Sequence, residues 1–194
     1  MPHHDDGFHA FADESFTSTT ASPSIYLMAG LILDPSTVDA VRSEIAALKL
    51  PREKKIHWHG DSDERHDRVI STIADISVEG IVLTRIGPDG ERDERRRRKT
   101  LEPFIQELEQ AGCTHLTLES RGIKADHRDR ALLDALRAQH LSRTVRLHHQ
   151  PGPVEPLLAI PDAICGAYNA ARNGNPRWWD QLNHAIHQIE INDL

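Results

Sequence analysis

The chain has 194 residues, with 23 Lys and Arg against 30 Asp and Glu, 38% hydrophobic residues and a formal net charge of −7. That length supports one ordinary domain with its own core, the composition is too apolar for wholesale disorder, and the net acidity argues against a generic nucleic-acid coat, whose grip rests on phosphate neutralisation. Two cysteines, Cys113 and Cys165, are too few for a disulfide framework or a cysteine-type zinc site. No run approaches the roughly 20 apolar residues of a membrane span, and Met1–Gly7 lacks the apolar segment of a secretory signal. The expectation is a cytoplasmic protein with a disordered tail at 1–7 and a single domain at 8–194.

In chain order, Phe8–Asp13 is short and aromatic-rich and predicts a strand, and the Ser/Thr-rich stretch Glu14–Ser24 predicts a connection. Ile25–Leu33 is nearly continuous in apolar residues and stops at Asp34-Pro35, the pattern of a strand buried on both faces. Ser36 is placed to cap a helix carrying Val38, Val41, Ile45 and Leu48. The polar stretch 54–66 contains Ile56-His57-Trp58-His59, a short extended piece, and Val69, Ile70, Ile73 and Ile76 mark a second helix. Gly80–Ile86 is a β-branched strand closed by Gly87-Pro88. A charged block, Glu91–Lys99, leads into a helix with Leu101, Phe104, Ile105 and Leu108, in which Pro103 must sit in the first turn or kink it.

His115–Ser120 predicts a strand, and Asp126 and Asp129 stand near the start of a helix with Leu132, Leu133 and Leu136. Thr144–His148 is the last predicted strand. A helix from Pro153 to about Asn173-Gly174 follows, and a final amphipathic helix is expected to carry Trp178, Leu182, Ile186 and Ile189. Strands alternating with helices call for an α/β fold with right-handed crossovers.

Acidic residues fall at informative places. Asp13 and Glu14 close the first strand and Glu119 closes the strand at 115–120, so parallel, adjacent strands would bring them to one sheet edge, where α/β proteins place ligands. Glu155, Ala159, Asp162, Gly166 and Asn169 recur at spacings of three and four, one helix face whose small residues allow a close approach of Asp162 to the sheet. Bare carboxylates ~4 Å apart repel by about 1 kcal/mol in water and about 4 kcal/mol at an effective dielectric near 20. Three of them stay ionised together only with a compensating cation, and oxygen-only ligands suit Mg²⁺ or Mn²⁺. The plainer alternative is that these acids are solvated residues at element ends.

Several segments resemble one family. Phe11-Ala12-Asp13-Glu14-Ser15, Tyr26–Gly30, Lys55-Ile56-His57-Trp58, Leu118-Glu119-Ser120-Arg121, Asp126 with Arg128-Asp129, and Glu155–Leu158 through Pro161–Gly166 follow, in order, the blocks of domain of unknown function 3800, in the ribonuclease H-like superfamily. The resemblance runs from about residue 10 to 190. It implies a five-stranded mixed sheet flanked by helices; the helical insertion expected between the second and third strands exceeds a minimal ribonuclease H. It also implies a two-metal nuclease acting on RNA or DNA, with Asp13, Glu119 and Asp162 as the acidic, metal-holding triad and Mg²⁺ or Mn²⁺ as cofactor. Glu14, Ser15, Glu155 and His57 would be accessory groups. Phe16 departs from the family, which usually has Gly there.

Six cations fall within Arg92–Lys99, and Arg95, Arg96, Arg98 and Lys99, with Lys55 and Arg121, are candidates for contacting a nucleic-acid partner; consecutive arginines point around a helix, so at most three could face one strand. His57, His59 and His66 offer a zinc alternative without a tightly spaced third ligand. Cys165 reads as a small buried hydrophobe. No Gly-rich phosphate loop or Gly-x-Ser-x-Gly elbow occurs. The competing functional reading is a catalytically inactive ribonuclease H-like module for binding or assembly.

Overall fold

The computed structural model describes residues 7–19, 22–76, 78–88 and 90–193. The expected tail at 1–7 lies, except for Gly7, outside the described residues. The elements are β1 (Phe8–Thr19), β2 (Ser22–Leu33), α1 (Val38–Ala47), α2 (Asp63–Asp75), β3 (Glu79–Ile86), α3 (Asp93–Gln110), β4 (Cys113–Glu119), α4 (Ile123–Ala138), β5 (Arg146–Gln150), a 3₁₀ turn (Pro156–Leu158), α5 (Ala159–Arg172), α6 (Trp179–Leu182), a second 3₁₀ turn (Asn183–Ala185) and β6 (Ile186–Asn192).

The strands form one mixed sheet in the order β5-β4-β1-β2-β3-β6. β1, β2 and β3 run as an antiparallel meander, β4 and β5 lie parallel to β1, and β6 lies parallel to β3. Strand alternation divides the sheet into two faces. Phe11, Leu27, Ala29, Leu31 and Val82 point to one core with α1, α2, α5 and the Trp178-Trp179 pair. Ala10, Ala12, Tyr26, Met28, Ile81 and Leu83 point to the other with α3 and α4.

Four expectations about the fold need correction. The sheet has six strands among the described residues, not five. The final amphipathic helix is instead one short helical turn followed by β6: Ile186 and Ile189 fit a helical spacing, but Ile189 and Ile191 equally fit alternation, and the open edge of β3 decides by pairing Gly80–Ile86 with Ile186–Asn192. Most of the expected Glu14–Ser24 connection is strand: β1 runs to Thr19 and β2 begins at Ser22, with Glu14 to Thr17 paired against Met28 to Ile25. At α1 the side-chain bond comes from Asp34, which accepts from the Ser36 N–H at 2.8 Å, while Thr37 holds the cap position. Pro103 lies inside α3, away from its first turn. The two helices inserted between β2 and β3 are α1 and α2, and the loop joining them crosses toward the ends of β1 and β4.

Candidate functional site

Backbone register sets the site before any side chain is placed. β1 and β4 are adjacent and parallel with Ala12 level with Leu118, and their pairing stops there. Asp13 and Glu119 are therefore the next residues on neighbouring strands, which lie about 4.8 Å apart. Leu116 and Leu118 face the α3/α4 core, so Thr117 and Glu119 face the opposite side, where Phe11 and Asp13 also point. α5 packs on that side. Its first turn holds Asp162, and the Cys165 thiol lies 3.8 Å from the carbonyl oxygen of Asp13. Burial pushes that thiol well above its ordinary range.

The loop between α1 and α2 closes the arrangement. Lys55 Nζ donates to both oxygens of Glu119, at 2.8 and 2.7 Å. His57 Nδ1 lies 2.6 Å from Asp162 Oδ2, and the Trp58 N–H donates to the same oxygen at 2.8 Å. Between these charged residues, Ile56 and Trp58 point the other way into the core. The expected extended piece at 56–59 is instead loop, bending at Trp58 and turning at His59 without a ladder partner, although side chains alternate from Lys55 to Trp58. Gly166 makes this possible: a Cβ there would come within 2.2 Å of the Trp58 ring. The indole stacks on His66, ring centroids 3.7 Å apart, and meets Trp178 edge-on.

Electrostatics mark Asp13 as the centre. Its carboxyl is pushed up to about 7, first by burial and then by the charges of Asp162 and Glu119, with Lys55 and His57 pulling the other way. A carboxyl in that state gains from an added cation. Asp13, Glu119 and Asp162 supply only hard oxygen donors, which suits Mg²⁺ or Mn²⁺ in kind. Among the described residues, however, no group of three or more His, Cys, Asp or Glu side chains is placed to hold one ion between them. Each of the three acids already has hydrogen-bond partners. Glu119 gives both oxygens to Lys55, Asp162 gives Oδ2 to the loop, and Asp13 Oδ1 accepts the Glu14 N–H at 2.8 Å.

The remaining candidates are spread more widely. Ser15 accepts from the Asn169 side chain on α5 at 3.0 Å. Glu14, one residue from Asp13, is on the opposite face of the sheet, because adjacent strand residues alternate. There it pairs with Arg97 and Arg121, which corrects its expected place beside the triad. Glu155 is held by Arg42 at 3.0 Å and caps the 3₁₀ turn by accepting from the Leu157 N–H. His66 Nε2 donates to the Trp58 carbonyl oxygen at 2.9 Å rather than joining His57 and His59, which removes the three-histidine zinc site.

The α3 cations divide by burial. Arg95 and Arg98 are exposed and Lys99 is partly so, pairing with Asp193. Arg96 is buried, contrary to its expected exposure, with its guanidinium 4.5 Å above Phe16 and paired to Asp93. Arg97, unremarked in the sequence beyond its place in the block, is buried in a bidentate pair with Asp129, at 3.0 and 2.8 Å. Arg121 reaches Glu14, Glu94 and Asp129. The residue whose role the sequence concealed most is Gly166, since only the fold shows the ring that needs its missing side chain.

No protein-family model matches the sequence, and no curated protein matches it either. Among solved structures, the chain is similar to a chain of the PCNA–RNase HII complex from Archaeoglobus fulgidus, with 13% identity, a TM-score of 0.54, and coverage of 91% of this chain and 77% of that one. It is similar to ribonuclease H2 from Pyrococcus horikoshii at 12% identity and a TM-score of 0.54, covering 90% and 76%. At such identities the likeness establishes the architecture alone. Among the described residues no helix is long and apolar enough to cross a membrane.

Proposed function

We propose, from a ribonuclease H-like fold in which Asp13 and Glu119 follow the last paired residues of β1 and β4, that this chain is a metal-dependent phosphodiesterase of the kind its resemblance to domain of unknown function 3800 implies, acting on RNA or DNA. The observation that carries this is geometric: Asp13 and Glu119 follow the last paired residues of two adjacent parallel strands, on the sheet face against which α5 with Asp162 packs. Asp13, Glu119 and Asp162 would hold Mg²⁺ or Mn²⁺, which supplies Lewis-acid polarisation of a phosphodiester and a more acidic water. His57, with Nδ1 committed to Asp162 and its ring half-exposed, has Nε2 with which to take up or give a proton at the cleft. The exposed Arg95 and Arg98, with Lys99, would attract the nucleic-acid backbone.

The test is cleavage of labelled RNA, DNA and RNA–DNA hybrid in Mn²⁺. Asp13→Asn is expected to lower any cleavage at least 100-fold and to abolish the heat of Mn²⁺ binding. A protein that cuts none of the substrates between pH 6 and 9 and binds no Mn²⁺ overturns the proposal. The Lys55–Glu119 pair favours a second reading, an inactive binding or assembly module whose acids are neutralised internally. That reading predicts no Mn²⁺ heat for Asp13→Asn to remove.

A further inference from the structure

Lys55 is not a loose surface lysine. Its ammonium spans both Glu119 oxygens, its side chain is 30% exposed, and the residues following it are anchored by Ile56 and Trp58 in the core. The backbone between β5 and α5 closes on the pair from a third side. A Cβ at Gly152 would sit 2.5 Å from Glu119 Oε1 and 2.8 Å from Lys55 Cδ, so the pair is held where only glycine leaves it room. Beside it lies a cavity of about 30 Å³ bordered by Lys55, Glu119, Gly152 and Asp162, space on the scale of one water-sized group. An oxygen already accepting from an ammonium is a poorer donor to a metal ion, and both cations seek the same charge.

We propose that Lys55 is a positioning residue that acts as a built-in counter-ion, competing with the divalent cation for Glu119, so that loading the site exchanges an ammonium for a dication. This rests on the metal-dependent reading above. In the pairing seen, the ammonium already occupies both oxygens of Glu119. The exchange leaves the Ile56 and Trp58 anchors in place, since only the flexible lysine stem has to swing away.

The experiment is calorimetric titration of Mn²⁺ into the full chain and into Lys55→Gln, Lys55→Arg and Asp13→Asn. Lys55→Gln is expected to bind Mn²⁺ at least tenfold more tightly than the unaltered protein. Lys55→Arg, which keeps the charge, should stay within about threefold of it. In the unaltered protein, the lysine ammonium NMR signal of Lys55, assigned by its loss in Lys55→Arg, should shift or vanish as Mg²⁺ is added. That second measurement needs no charge-removing variant to fold. If Mn²⁺ binds, Asp13→Asn abolishes it, and Lys55→Gln binds equally or more weakly, the competition is overturned while the metal reading stands. A Lys55 signal that stays unchanged while Mg²⁺ binds overturns the competition in the same way. If neither the unaltered protein nor Lys55→Gln binds Mn²⁺, both proposals fall together.

Discussion

At the residue scale the site turns on one buried carboxyl. Asp13 has its pKa raised from 3.8 to about 7 in the folded chain, so the folded state holds a proton that the unfolded state gives up at lower pH. The stabilising contribution is complete below about 3.8 and is lost as pH rises through about 7. Asp13→Asn cannot ionise. It should therefore be more stable than the unaltered protein by roughly 2–4 kcal/mol at pH 8, with the difference shrinking toward pH 4, as measured by urea unfolding without metal. A site that gains stability on losing its acid is one that holds like charges for a purpose other than folding. The sequence showed Asp13 at a strand end. It could not show the burial, because β1 continues past it to Thr19 and α5 lies across it.

At the element scale, the α1–α2 loop and α5 work as a pair. Alternation sends Lys55 and His57 to the acids and Ile56 and Trp58 to the core, and Gly166 is the notch into which the indole fits. Gly166→Ala drives a methyl into the ring. It should lower stability by about 1–3 kcal/mol and loosen the His57 and Trp58 contacts to Asp162, read as a change in tryptophan fluorescence together with the melting temperature. The helix face with Ala159, Asp162 and Gly166 was legible from spacing alone, since period 3.6 is a local property. What Gly166 faces was not, because Trp58 is 108 residues earlier in the chain. The α3 arginines teach the same point: four consecutive cations look alike in sequence, yet the helix buries Arg96 and Arg97 and exposes Arg95 and Arg98.

At the scale of the whole molecule, the two sheet faces have different work. One carries the acids, and the other carries a buried ionic network in which Asp129 receives Arg97, Arg121 and His149. Burial works to raise the Asp129 carboxyl, but hydrogen bonds from His149 and Arg97 outweigh it and hold it well below the usual range. Its contribution is therefore present above about pH 3.8 and is lost as pH falls below that value. Asp129→Ala leaves Arg97 buried without its bidentate partner and should destabilise the chain by about 3–5 kcal/mol, measured by chemical unfolding at pH 7. Because the network joins α3, α4, β1 and β5, the loss should appear in one cooperative transition.

By itself the sequence determined the alternation of strands and helices, the buried central strand at Ile25–Leu33, the acid at the end of β4, and the small-residue face of α5. Each of these follows from local periodicity, turn chemistry and side-chain size. Only the tertiary structure decided that Ile186–Asn192 is strand, that Glu14 belongs to the face opposite Asp13, that Arg97 is buried, and that Lys55 neutralises Glu119. Those outcomes depend on which open edge, core or opposite charge a segment meets after folding, and such encounters join residues too distant in the chain for any local pattern to record.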